Sequence, residues 1–136
     1  MTEIEKINKI NDTLSEIGTF YFVTSEDNIP HARPVSFKMV YDNKLYLGIG
    51  KFKDAYKQAL KNNHIELVGC KGATWVRIDA TLEFVDDPKA VEECFKIIPG
   101  VEKFYKENNY EMGMMYLSHG HFELKSVIDV LEEFNF

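Results

Sequence analysis

Two glycines and two lysines alternate over six residues in the segment Gly48-Ile49-Gly50-Lys51-Phe52-Lys53. A short apolar run precedes them, and a helical pattern starts at Lys53. Glycines let main-chain amides approach a ligand, and helix N-termini favour anions. The two lysines add charge, so this segment could hold a phosphate. The same spacing also describes a plain strand-to-helix loop with surface lysines. Two further stretches carry chemistry-bearing residues, Pro30 to Lys38 (PHARPVSFK) and Trp75 to Asp87 (WVRIDATLEFVDD). They contain the only two arginines of the chain, Arg33 and Arg77. An arginine fork suits paired bonds to a carboxylate or another anion, and for Arg77 a surface ion pair is the plainer reading. Pro34 cannot donate to a strand ladder, but a strand whose free side meets a ligand tolerates it.

Other candidates are less complete. His119 and His121 would point the same way on a strand and could bind a metal with a third ligand. No partner is evident in the sequence, and a hairpin around Gly120 accounts for the pair, so no metal site is expected. His31 lies two residues before Arg33, where it could donate a proton or serve structure alone. Cys70 and Cys94 form no CxxC and have no metal-ligand spacing to a histidine; both read as buried thiols. Glu92 and Glu93 would blunt any reactivity of Cys94. The pairs Glu92-Glu93 and Glu132-Glu133 read as solvated helix or tail faces. No catalytic Ser-His-Asp or Cys-His set is legible, so no catalytic residue is assigned.

These segments need elements to position them. Ile4, Ile7, Ile10, Leu14 and Ile17 recur at helical spacing and end at Gly18, which predicts an amphipathic first helix. Thr19 to Ser25 predicts a strand, closed by a turn at Glu26-Asp27-Asn28. Pro30 to Tyr41 alternates and predicts one long strand, with Asp42-Asn43 turning the chain into Lys44 to Gly48. Three strands joined by short turns make an antiparallel meander. A helix follows over Lys53 to Lys61, then strands at Ile65 to Cys70 and Thr74 to Val85. Asp86-Asp87-Pro88 starts a helix that ends near Pro99-Gly100, and a short one covers Val101 to Lys106. Met114 to Ser118 and His121 to Lys125 predict a last hairpin around Gly120. The outcome is a single domain, 1–136, with six or seven strands and three or four helices.

Composition agrees with one ordered domain. The chain has 136 residues, 45% of them apolar and 28% charged, which excludes disordered and low-complexity classes. Asp plus Glu number 22 against 16 for Lys plus Arg, a net charge of -6. An acidic domain repels phosphate backbones, so no nucleic-acid partner is expected. Charges interrupt the N-terminal helix pattern, and no apolar run approaches a membrane span of about 20 residues, so a cytoplasmic protein without a membrane partner is expected. Aromatic residues make up 13%, which predicts exposed apolar patches of the kind that become interfaces.

The three segments, in this order, resemble the FMN-binding split-barrel family, the pyridoxamine 5'-phosphate oxidase-like proteins. The resemblance rests on Pro30, Arg33-Pro34-Val35, Lys53, Asn62-Asn63, and Trp75-Val76-Arg77-Ile78 running to Glu83 and Asp86. It spans about Gly18 to Leu124. Asp79-Ala80 departs from the small residue and glycine common there. The resemblance implies a mainly β (α+β) fold, an antiparallel split β-barrel with short flanking helices. It implies a homodimer with FMN at the interface. Arg33, Pro34, Val35, Ser36, Phe37 and Lys38 would run along the flavin ring. Lys53 would bind the phosphate, helped by Lys51 and the Gly48 to Gly50 main chain, and Trp75 would stand against the flavin. The implied function is an FMN-dependent oxidoreductase acting on a small organic substrate, with nitro compounds or quinones as possible acceptors. The alternatives are a non-catalytic flavin or haem binding protein or redox sensor, and a cofactor-free dimeric scaffold. A true pyridoxamine-phosphate oxidase is not expected, because no arginine follows Arg77 and the chain ends in acidic VLEEFNF.

Overall fold

A computed structural model describes residues 1–136. The first helix, α1 (Glu3–Ile17), buries Ile7, Ile10 and Leu14 on one face. A capping box starts it: Thr2 Oγ1 accepts the Glu5 N–H at 3.2 Å, and the Glu5 carboxylate accepts the Thr2 N–H. Gly18, at φ 86°, ends it. Seven elements then follow: β1 (Phe20–Glu26), β2 (Ile29–Val35), β3 (Met39–Tyr41), β4 (Lys44–Gly50), α2 (Asp54–Lys61), β5 (His64–Lys71) and β6 (Thr74–Val85). The chain closes with α3 (Pro88–Ile97), α4 (Pro99–Glu107), β7 (Met112–Lys125) and β8 (Val130–Asn135). Asp27-Asn28 and Asp42-Asn43 all have positive φ, the two-residue geometry that matches the twist of a hairpin.

All pairings are antiparallel, in the order β2-β1-β5-β6-β7-β4-β3, with β8 added to β7. The two ends of this order, β2 and β3, are joined by only Ser36, Phe37 and Lys38. Seven strands laid flat would separate their edges by about 29 Å. The link from Val35 to Met39 can reach only about 14 Å. The sheet must therefore curl until its edges nearly meet, yet they do not pair. This is the split barrel, mainly β and not closed. Phe20, Phe22, Leu45, Leu47, Leu67, Ile78, Leu82 and Phe122 fill its interior with the α1 side chains. A second apolar cluster, with Met39, Tyr46, Cys94, Phe95, Tyr105 and Met114, packs α3 and α4 on the outside.

The sheet has eight strands rather than six or seven, and three local differences account for it. The alternating run Pro30 to Tyr41 is two strands, because β2 pairs with β1 and β3 with β4, which stand far apart in the sheet order. His119-Gly120 is a bulge within one long β7, not a turn. His119 takes φ 47°, and these two residues oppose the single Ala80. A Cβ on Gly120 would strike the Phe136 ring, so only glycine fits. The acidic tail is β8. Phe134 stacks on Phe122 with centroids 4.6 Å apart, half-buried Glu132 on the same face pairs with Lys9 of α1, and Glu133 is exposed on the other face. Helix α4 also starts at Pro99, its first-turn proline, two residues earlier than expected.

Candidate functional site

A cavity of about 460 Å³ opens beside the link between β2 and β3, within the size range of small-molecule sites. One wall is Pro34, Val35, Ser36 and Phe37. Leu47, Gly48 and Ile49 of β4 and Met112 of β7 form the floor. Ile98, Gly100, Val101, Phe104 and Tyr105, from α4 and the residue before it, form the opposite wall. Phe52 and Lys53 stand at the start of α2. Ten of the fifteen lining residues are hydrophobic, so the site suits a largely apolar ring with one charged end.

The polar groups are few and placed at two ends. No main-chain hydrogen bond within the chain uses the N–H or C=O of Ser36, Phe37 or Lys38. Ser36 is exposed and Phe37 and Lys38 are half-buried, so this stretch presents accessible donors and acceptors along the wall. At the other end, Lys53 is the N-cap of α2 and makes no ion pair. No side chain caps this helix start, leaving first-turn amides open to an anion. Asp54 in the first turn opposes that attraction in part.

The floor and mouth are tightly fitted. A Cβ on Gly50 would lie 2.5 Å from Phe52 Cε1 and 2.6 Å from Tyr105 Oη. Phe52 stacks on Tyr110 at 3.9 Å and meets Tyr105 edge-on at 5.6 Å. Burial pushes the Tyr105 hydroxyl above its usual range, and it pushes the Cys94 thiol behind the floor to about 11. Cys94 is thus an inert buried thiol, whereas Cys70, expected to be buried, is exposed.

The sequence candidates divide by place. Pro34, Val35, Ser36, Phe37, Gly48 and Lys53 line the cavity together, and Gly50 supports its mouth. Arg33 lies beside it with its guanidinium bonded to Thr24 Oγ1 and Gln58 Oε1. Lys38 bonds Ser15 on α1, and Lys51 pairs with Glu111 at 3.2 Å. Trp75 is on β6, away from the cavity; its Nε1 donates to the Ser126 carbonyl at 3.1 Å, and Arg77 and Lys125 lie over its ring. Arg77 pairs with Glu66 at 2.8 Å. The α4 residues were not singled out in the sequence. Their spacing is that of any amphipathic helix, and only the half-exposed Phe104 hints at an uncovered face.

The two histidines part company. His119 is exposed at the bulge beside Ser118. His121 gains partners the sequence did not reveal: Nε2 faces Glu123 at 3.4 Å and Glu133 at 3.2 Å, and Nδ1 faces Asn135 Oδ1 at 2.6 Å. These contacts raise its pKa, the Asn135 bond foremost, and once protonated the ring bridges two carboxylates across the β7–β8 hairpin.

Comparison with known proteins agrees with this fold. Residues 7–114 match the family model described as pyridoxamine 5'-phosphate oxidase. The chain belongs to the pyridoxamine 5'-phosphate oxidase-like family. No curated protein matches the sequence. Among solved structures, a NimC/NimA family protein of Clostridium acetobutylicum superposes with a TM-score of 0.85 at 23% identity, covering 98% of this chain and 93% of that one. General Stress Protein 26 of Bacillus anthracis gives 0.67 at 14% identity and full coverage of both chains. A FAD-binding protein of Mesorhizobium loti gives 0.60 at 11% identity, covering 88% and 94%. At these identities the likeness shows the fold. No helix is long and apolar enough to cross a membrane.

Proposed function

We propose that residues 1–136 act as one FMN-binding domain, and that the protein is an oxidoreductase working on a small organic substrate. The observation that carries this reading is the pairing, in one cavity, of the unpaired main chain at Ser36–Phe37 with Lys53 at an uncapped helix start. The residues fit FMN at both ends. The main chain of Ser36 and Phe37 offers donors and acceptors to a polar ring edge. Val35, Leu47, Ile49 and Val101 offer the apolar faces. Lys53 and the first-turn amides of α2 offer the charge for a phosphate. Family membership supports flavin binding, and the Mesorhizobium loti neighbour, described as FAD-binding, supports it further. When bound, the flavin supplies hydride and electron transfer, while the chain binds it, orients it and keeps water from its faces. A flat acceptor such as a nitro compound or a quinone would stack on the exposed face of the flavin, toward the α4 wall with Phe104 and Gly100. The acidic C-terminal strand offers no cation for a second phosphate, so pyridoxamine phosphate is not the proposed substrate.

A homodimer in the cytoplasm completes the proposal. Val127, Ile128, Val130 and Leu131 form an exposed apolar run that starts beside Ser126, the partner of Trp75. Covering this run with a second copy would bury it and move Trp75 toward a flavin held by that copy. Titrating the protein with FMN tests the central reading. The expected result is saturable quenching of flavin fluorescence at micromolar protein, at least fivefold weaker in Lys53→Ala. FMN fluorescence indifferent to the protein at 100-fold higher concentration would overturn it. A clean monomer in analytical ultracentrifugation would overturn the dimer.

A further inference from the structure

We propose that His121, Glu123 and Glu133 form a binding site for a divalent cation of the zinc class, on the outer face of the β7–β8 hairpin and apart from the cavity. The bulge at His119-Gly120 creates this face. One extra residue in a strand moves every later side chain to the opposite side. Ser118 and His121 therefore both lie on the outer side of β7, Phe122 turns into the core, and Glu123 and Lys125 follow on the outer side. On β8 the register sets Glu133 directly opposite Glu123, and Asn135 directly opposite His121. Two acids so placed destabilise a sheet unless a cation stands between them.

The side chains converge on one point. His121 Nε2 faces Glu123 Oε1 at 3.4 Å and Glu133 Oε2 at 3.2 Å. Asn135 Oδ1, 2.6 Å from Nδ1, can only accept, so Nδ1 carries the proton of the neutral ring and Nε2 keeps a lone pair. Three acceptors then point at one another, and only a cation at the centre satisfies them. A proton on Nε2 supplies one positive charge for two carboxylates, whereas a divalent ion balances both. Bonds of about 2.0–2.2 Å to a tetrahedral zinc ion hold its ligand atoms about 3.3–3.6 Å apart, close to both distances at Nε2. The three ligand atoms all lie within 4.8 Å of one another, and the Glu133 side chain, 57% exposed, is free to swing inward. The Asn135 bond at Nδ1 is the outer partner that orients a metal-binding histidine. Lys125 takes the other oxygen of Glu123 at 3.6 Å, so Glu123 offers the ion a single oxygen. On β6, Arg77 lies beside Glu123 but is held by Glu66 at 2.8 Å, and Asp79 beside His121 adds negative charge. One imidazole with two carboxylates selects zinc over magnesium or calcium, which take all-oxygen sets. The fourth position opens to solvent and would take a water. The ion would pin β8, which carries Phe134 and Phe136, onto β7.

Zinc titrated into the untagged, chelator-treated full chain tests the site by isothermal calorimetry, with cobalt as a spectroscopic probe. The expected result is one ion per chain with Kd of about 10 μM or tighter, indifferent to about a hundredfold excess of magnesium. Cobalt should give the visible spectrum of a tetrahedral site. His121→Gln and Glu133→Gln are each expected to weaken zinc at least about a hundredfold, and Asn135→Leu about tenfold. His119→Gln and Cys70→Ser, which remove the other exposed histidine of β7 and the exposed thiol, should leave zinc binding unchanged. Unchanged zinc affinity in Glu133→Gln, whose exposed side chain leaves the fold intact, would place the ion elsewhere and overturn the proposal. No binding at about 1 mM zinc would also overturn it and leave a proton as the only bridge between the carboxylates. An octahedral cobalt spectrum would contradict the tetrahedral set and count against it equally. None of these readouts depends on flavin.

Discussion

Gly50→Ala perturbs the mouth of the cavity with a single methyl group. The added Cβ would sit 2.5 Å from Phe52 Cε1 and 2.6 Å from Tyr105 Oη, so both rings must yield. Tyr105 is buried and held edge-on by Phe95 at 6.2 Å, so it has little freedom. Phe52 is half exposed and can swing outward, but it then leaves the Tyr110 stack. Losing that stack costs about 0.5–1.5 kcal/mol. The residual overpacking against Tyr105 costs about 1–3 kcal/mol. Alanine in place of glycine in a strand recovers about 0.5–1 kcal/mol of chain entropy. The net is a destabilisation of about 0.5–4 kcal/mol, and at about 3–5 °C per kcal/mol for a chain of this size Tm should fall by about 2–20 °C. Differential scanning calorimetry on the flavin-free protein reads it directly. Gly48→Ala is the comparison, since its Cβ meets side chains no closer than 3.2 Å and should cost less. A Gly50→Ala protein with unchanged Tm would refute the packing argument, and so would one less affected than Gly48→Ala.

Three further outcomes follow from other parts of the molecule. Lys53→Ala should weaken FMN about five- to thirtyfold while leaving riboflavin unchanged, consistent with about 1–2 kcal/mol for a charged hydrogen bond at a partly open site; isothermal titration of both flavins checks this. The His121 pKa is raised in the folded chain, so its stabilising contribution is full below the unfolded value near 6.5 and is lost as pH rises through the folded value. Amide exchange in the β7–β8 hairpin should therefore be better protected at pH 6 than at pH 8 after correction for intrinsic rates, and His121→Gln should remove that difference. Of the two thiols, only exposed Cys70 should react with Ellman's reagent in the native state, with Cys94 appearing after denaturation; two fast thiols would contradict the buried assignment.

Much of the architecture is legible where the local pattern and the tertiary pairing agree. The first helix is written in the spacing of Ile7, Ile10 and Leu14, and Thr74 to Val85 alternates along the whole of β6. The pattern misleads where pairing partners change without a change in alternation. Pro30 to Tyr41 reads as one strand because its side chains keep period two across the link at Ser36–Lys38. His119-Gly120 uses turn residue types for a bulge, and the glutamates of β8 hide the period-two face that carries Phe134 and Phe136. The cavity is half legible for the same reason. Pro34 to Phe37, Gly48 and Lys53 stand out by residue type, whereas Val101, Phe104 and Tyr105 look like ordinary helix packing. That α4 faces those residues is set by tertiary packing of α3 and α4, which no local spacing encodes.

A crystal structure of the protein grown with FMN tests the central claim most directly. The account predicts the flavin ring along Ser36 and Phe37, its phosphate within hydrogen-bond reach of Lys53 and the first turn of α2, and Gly48 beneath it. Flavin bound on another face, or a phosphate held away from Lys53, would contradict it.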